Sequence, residues 1–194
     1  MFPWDEPAGR TDSVGPFRPM PASVAVLSML PDSAIPGWLQ AREAVDGAIG
    51  ALHFDGRPHV TVAYLGPTGK DHIDEVLRSA EATARATPAA EVTTGRLVAF
   101  PPNGGKTPVV LLLPNAGALP ALNDRLESEL FAGSNRTRYP YVPHLTLGYL
   151  ASTKTPQIQQ ALDLIKPGVI KWIASGLTVT VSGREVATTA FGGK

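Results

Sequence analysis

Pro58-His59-Val60-Thr61-Val62-Ala63-Tyr64-Leu65 and Pro143-His144-Leu145-Thr146-Leu147-Gly148-Tyr149-Leu150 agree at Pro, His, Thr, Tyr and Leu, and are aliphatic together at two further places. Within each octamer polar and aliphatic residues alternate, the period of a strand with two unlike faces. Side chains at i and i+2 share a face. His59 and Thr61 therefore point one way, as do His144 and Thr146, while Val60, Val62, Leu145 and Leu147 point into a core. Strict alternation also groups Tyr64 with Val62 and Tyr149 with Leu147. It sends both rings to the core unless a bulge intervenes.

Outward from the first octamer, the Ser23–Leu30 stretch reads as a buried strand stopped by Pro31-Asp32-Ser33. A helix follows, with Pro36 in its first turn, Trp38, Leu39, Arg42 and Val45 at helical spacing, and Gly47 and Gly50 at its end. After the octamer, Asp71–Ala86 carries Ile73, Val76, Leu77 and Ala80 at helical intervals. The second half repeats this order. Ala90–Phe100 reads as one strand, Pro101-Pro102-Asn103-Gly104-Gly105 as a turn, and Pro108–Leu113 as its hairpin partner. A helix is expected over Leu119–Phe131, ending near Gly133. A loop containing Arg136, Arg138, Tyr139 and Tyr141 leads into the second octamer. A helix over Pro156–Ile165 and strands over Gly176–Val181 and Glu185–Phe191, joined at Ser182-Gly183, complete the chain. The class is α+β with alternating α and β elements, and the octamers are the mark of an internal repeat. Residues 1–20, with Pro3, Pro7, Pro16 and Pro19, read as a Pro/Gly-rich leader, and 21–194 as a single domain.

The 194 residues suit one domain. With 17 basic and 17 acidic side chains, nothing suggests broad electrostatic capture of duplex DNA. No apolar run approaches the roughly 20 residues that span a bilayer, so no membrane partner is expected. The absence of cysteine removes disulfides and thiolate chemistry, and a cytoplasmic monomer is the default expectation. An Ala, Gly, Pro and Val bias suggests a GC-rich bacterial or phage source.

Two imidazoles and two hydroxyls on one surface suit phosphodiester chemistry, in which one group takes a proton from the attacking oxygen and another gives one to the leaving oxygen. Histidine, with an ordinary pKa of about 6.5, can do either near neutrality. The Thr61 and Thr146 hydroxyls can donate to non-bridging oxygens as charge builds there. A metal site would need a third ligand, and only Asp55 lies near the first motif, so neither metal nor cofactor is expected. His53 and His72 are read as structural.

The paired His-aliphatic-Thr-aliphatic motifs resemble those of the two-histidine (2H) phosphoesterase superfamily. Its members include RNA 2′,5′-ligase and cyclic phosphodiesterase proteins and phage enzymes that cleave cyclic oligonucleotide signals. The resemblance spans roughly Ser23–Phe191 in element order. It implies a bilobal body, with two antiparallel sheets about a pseudo-twofold central cleft and helices outside. It also implies His59, Thr61, His144 and Thr146 as catalytic residues. Some relatives carry a basic residue just after the second motif. This chain has Gly148 and Tyr149 there, which leaves the third phosphate contact open. Arg136, Arg138, Tyr139, Tyr141 and Lys106 are the candidates for holding substrate. The activity implied is hydrolysis of a 2′,3′-cyclic phosphate, a 2′,5′-linked oligonucleotide or a cyclic oligonucleotide. Alternatives are a binding module that sequesters RNA ends or a cyclic nucleotide, and a reversible 2′,5′ RNA ligase.

Overall fold

The computed structural model describes residues 22–68, 70–131 and 140–193. The expected leader, and Arg136, Arg138 and Tyr139, lie outside them. The order is β1 (Ala22–Met29), α1 (Ile35–Ile49), β2 (His59–Thr68), α2 (Lys70–Arg85), β3 (Ala90–Thr93), β4 (Leu97–Ala99), β5 (Thr107–Leu112), α3 (Leu119–Leu130), β6 (His144–Leu150), α4 (Thr155–Leu162), β7 (Lys171–Ala174), β8 (Gly176–Val181) and β9 (Arg184–Ala190). Antiparallel pairing gives a four-stranded sheet, β2-β1-β8-β9, a three-stranded sheet, β4-β5-β6, and the pair β3-β7. One apolar cluster runs beneath both larger sheets, from Val26 and Val60 to Leu111 and Leu145. None of the described helices is long and apolar enough to cross a membrane.

The stretch expected as one strand over Ala90–Phe100 is broken at Thr94–Arg96, where the chain changes sheets. β3 pairs with β7 and β4 with β5, so the expected hairpin holds for its second part alone. The break is fixed by hydrogen bonds: Thr94 N–H to the Ile170 carbonyl (3.0 Å), Ile170 N–H to Thr94 Oγ1 (2.9 Å) and Gly95 N–H to the Leu112 carbonyl (2.7 Å). β7 escaped the sequence reading because four residues are too few to establish a period.

The two motif strands occupy equivalent places, β2 at one edge of the larger sheet and β6 at one edge of the three-stranded sheet. Both carry a bulge at the same residue of the repeat. Opposite β2, Val26 pairs with Ala63 and Leu27 with Thr61, leaving Val62 as the extra residue. Opposite β6, Val109 pairs with Gly148 and Val110 with Thr146, leaving Leu147 extra. An extra residue shifts the face of everything after it by one position. Val62 and Ala63 therefore both point inward, as Leu147 does at the second bulge, and Tyr64 and Tyr149 emerge 53% and 39% exposed. Strict alternation placed both rings in the core, and the bulges return them to the face of His and Thr.

The repeat differs at Ala63 and Gly148 for a local reason. α1 ends at Gly50, and the chain beyond it is tied back by Leu52 N–H to Asp46 Oδ1 (2.8 Å) and by Arg42 Nη2 to the Leu52 carbonyl (2.6 Å). This sets His53 beside β6, exchanging hydrogen bonds with Tyr149 of 3.0 and 2.8 Å. A Cβ on Gly148 would lie 2.7 Å from Leu52 Cβ and 3.0 Å from the His53 carbonyl oxygen. Gly148→Ala should therefore cost about 1–3 kcal/mol of stability through overpacking. A melting temperature unchanged from the parent would show that residues 52–53 are not seated against β6.

Candidate active site

β2 and β6 face each other as neighbouring edges that touch without pairing, and their His and Thr side chains line the furrow between the sheets. The two histidines are held alike. His59 Nδ1 lies 2.8 Å from the Arg57 carbonyl oxygen, and His144 Nδ1 lies 2.7 Å from that of Val142, in each case two residues back. A carbonyl can only accept, so Nδ1 carries the proton in both rings and Nε2 is left to a ligand. Each ring also meets a phenylalanine: Phe54 at 6.4 Å from His59, and Phe100 edge-on at 4.8 Å from His144, between ring centroids.

The motif strands are braced from the opposite repeat. α1, between β1 and β2, lies against β6, where Trp38 Nε1 donates to the Thr146 carbonyl (3.0 Å). α3, between β5 and β6, lies against β2, where Asn123 Nδ2 donates to the Val62 carbonyl (2.7 Å). The Tyr141 hydroxyl donates to the Thr61 carbonyl at 3.1 Å. All three carbonyls sit at or beside the bulges, where the ladder leaves acceptors without a strand partner. Tyr141, expected to stack on substrate, thus spends its hydroxyl on bracing β2, and burial pushes its pKa up.

Burial lowers the pKa of His144, the Val142 carbonyl works against that shift, and a positive charge on His59 reinforces it. His144 therefore favours the neutral form near pH 7. That charge effect also places the two rings within electrostatic reach of one another.

His59, Thr61, His144, Thr146 and Lys106 thus share one furrow. Lys106 arrives by way of a tight turn in which Asn103 and Lys106 exchange backbone hydrogen bonds of 2.8 and 3.1 Å, with Gly104 and Gly105 at φ 55° and 74°. Furrow residues not expected there include Tyr64, Tyr149, Asn103 and His53, the last read as structural. Asp55, considered earlier only as a metal ligand, lines both halves of the furrow. The His53–Tyr149 bridge that brings in His53 joins residues nearly a hundred positions apart, and nothing local announces it. Among the described residues no three His, Asp, Glu or Cys side chains converge as a metal-holding group.

His144 should titrate below about 6.5, with Nδ1 protonated in its neutral form. A 15N-resolved NMR titration reads both properties. A midpoint above 6.5, or a neutral ring protonated at Nε2, would contradict this account of the site.

The model of the 2′-5′ RNA ligase superfamily matches residues 30–184. No curated protein matches the chain in sequence. Solved structures share the fold at low identity. TT0787 of Thermus thermophilus aligns with a TM-score of 0.69 at 14% identity over 89% of this chain and 99% of its own. E. coli LigT complexed with 3′-AMP aligns at 0.63 and 15% over 88% and 98%. Kluyveromyces marxianus Usb1 aligns at 0.53 and 12% over 87% and 97%. The family match takes in both motif strands and the furrow between them, and the chain belongs to the 2′-5′ RNA ligase superfamily, whose members are 2H phosphoesterases.

Proposed function

We propose that this protein is a metal-independent phosphodiesterase that cleaves a nucleotide phosphodiester in the cytoplasm by two-histidine acid–base catalysis. The observation that carries this reading is the matched tethering of two imidazoles in one furrow, each with Nδ1 committed to a backbone carbonyl and Nε2 left for a ligand. A structural histidine has no need of such a duplicate. The E. coli LigT complexes with 3′-AMP and with phosphate support a nucleotide phosphate as the ligand.

Burial favours the neutral form of His144, which can accept a proton, and His144 is taken as the base. Its Nε2 takes the proton from the attacking hydroxyl, of water or of a neighbouring ribose, as that oxygen bonds to phosphorus. The bond from phosphorus to the leaving oxygen breaks, and His59 supplies the proton from its own Nε2. His144 ends protonated and His59 neutral, and exchange with solvent restores both. Thr61 and Thr146, two residues along each strand, donate to the non-bridging oxygens. The candidate substrates are 2′,3′-cyclic phosphates, 2′,5′-linked oligonucleotides and cyclic oligonucleotides.

The test is turnover of such a panel in EDTA. His59→Ala and His144→Ala should each lower kcat/KM by about 10²–10⁴-fold, and Thr61→Val or Thr146→Val by roughly 10²-fold. The acid limb of the pH profile should fall below about 6.5, because neutral His144 disappears only beneath its lowered pKa. Activity abolished by EDTA, or full turnover in both histidine variants, would overturn the mechanism. Tight binding with no turnover of any compound would make the protein a binding module.

A further inference from the structure

α1 lines neither hollow of the furrow, yet one stripe of it reaches both motif strands. Trp38, Arg42 and Asp46 recur every four residues and so stand one above another on a single face of the helix. Trp38 is buried and gives its indole N–H to the Thr146 carbonyl of the second motif (3.0 Å). Arg42 lays its guanidinium over the Trp38 ring, 5.5 Å from the centroid, and its Nη2 donates to the Leu52 carbonyl (2.6 Å). Asp46 Oδ1 accepts from the Leu52 N–H (2.8 Å). The stripe thus grips both backbone polar groups of Leu52 and fixes the path of the chain from α1 towards β2.

That grip delivers Phe54. Its ring packs on Trp38, with centroids 5.4 Å apart and planes at 57°, and on His59, at 6.4 Å and 40°. Both pairs fall within the roughly 4.5–7 Å at which aromatic rings attract one another. A continuous line of contact therefore runs from the Thr146 carbonyl through the Trp38 indole and the Phe54 ring to the His59 imidazole. Its two ends belong to opposite walls of the furrow. The tether from His59 Nδ1 to the Arg57 carbonyl is a single hydrogen bond, about which the imidazole can rock, and a ring packed at its side limits that motion.

α3 makes the reciprocal contact to β2 through Asn123, but it carries no aromatic residue and cannot extend that contact to His144. Phe100, the ring beside His144, follows β4 instead, its backbone N–H on the Pro108 carbonyl (2.9 Å). Trp38 does for both motifs what Asn123 does for one.

Resting on the two-histidine reading above, we propose that Trp38 is a positioning residue that sets the acid and the base relative to one another. Through its N–H it holds the strand of His144, and through Phe54 it holds the ring of His59. Proton transfer at both ends of one phosphodiester needs both Nε2 atoms at hydrogen-bond distance from their oxygens at once, so an error at either end slows the same step. The contacts that bind the substrate are left in place, and the effect falls on kcat rather than on KM.

The experiment uses three variants of the full chain. Trp38→Phe keeps a ring for Phe54 and removes the donor, Phe54→Leu removes the ring and keeps the donor, and Trp38→Leu removes both functions. On a phosphodiester that the parent cleaves, each of the first two should lower kcat by about tenfold with KM within about twofold, and Trp38→Leu should lower it by about a hundredfold, the scale of a misplacement of about 1 Å. Phe54→Leu should cost about another tenfold when added to Trp38→Phe, but under about twofold when added to Trp38→Leu, where Phe54 has already lost its support. Phe54→Tyr, which keeps the ring, should recover most of what Phe54→Leu loses. In the ligand-free protein, 15N-resolved imidazole signals separate the two arms: Trp38→Phe should shift those of His144 and leave those of His59, and Phe54→Leu should do the reverse. Activity losses that merely follow melting temperature, with both sets of imidazole signals unmoved, would overturn the proposal. So would an equal cost of Phe54→Leu in the parent, Trp38→Phe and Trp38→Leu backgrounds. If the parent cleaves no phosphodiester, the phosphodiesterase reading falls by itself, and the imidazole signals alone uphold or overturn the positioning.

Discussion

Three hydrogen bonds that cross between the repeats hold the motif strands in their bulged form: Trp38 to the Thr146 carbonyl, Asn123 to the Val62 carbonyl and Tyr141 to the Thr61 carbonyl. A bulge removes ladder partners, and a buried carbonyl left without a donor costs about 1–3 kcal/mol. Regular strands would turn Tyr64 and Tyr149 inward and leave the furrow without aromatic walls. The geometry of the site therefore depends on side chains that belong to the other repeat, two of them on helices.

The same crossing joins the two repeats into one packed body. α1 lies against β6 and α3 against β2, so neither repeat can complete its core alone. β2 and β6 meet as sheet edges, and the furrow is the gap left because they touch without pairing. A ligand can thus reach backbone-anchored histidines from both sides at once. Rigid anchoring suits acid–base work, since proton transfer needs the ring nitrogen held at hydrogen-bond distance from the reacting oxygen.

The repeat is also imperfect in ways that matter. Gly148 replaces Ala63 because residues 52–53 pack onto β6, and among the described residues nothing comparable packs onto β2. Burial of the His144 ring lowers its pKa.

The sequence by itself determined the repeat, the α+β class, the alternation of helices and strands, and the His-Thr face, because these depend on periodicities of 2 and 3.6 and on turn residues that any short window displays. It also marked Lys106 as a candidate beside the site, through the glycine pair that tightens its hairpin. Only the tertiary structure decided the rest. Whether Val62 and Leu147 form bulges depends on donors from Asn123 and Trp38, each more than sixty residues away along the chain. The division of Ala90–Phe100 between two sheets depends on Ile170 and Leu112. Tyr141 was read as a substrate contact, and its hydroxyl braces β2, because a hydroxyl's partner is chosen by which carbonyl lies opposite it after folding. Local pattern sets which face a side chain prefers, whereas the satisfaction of buried polar groups is settled by whatever the whole fold brings within about 3 Å.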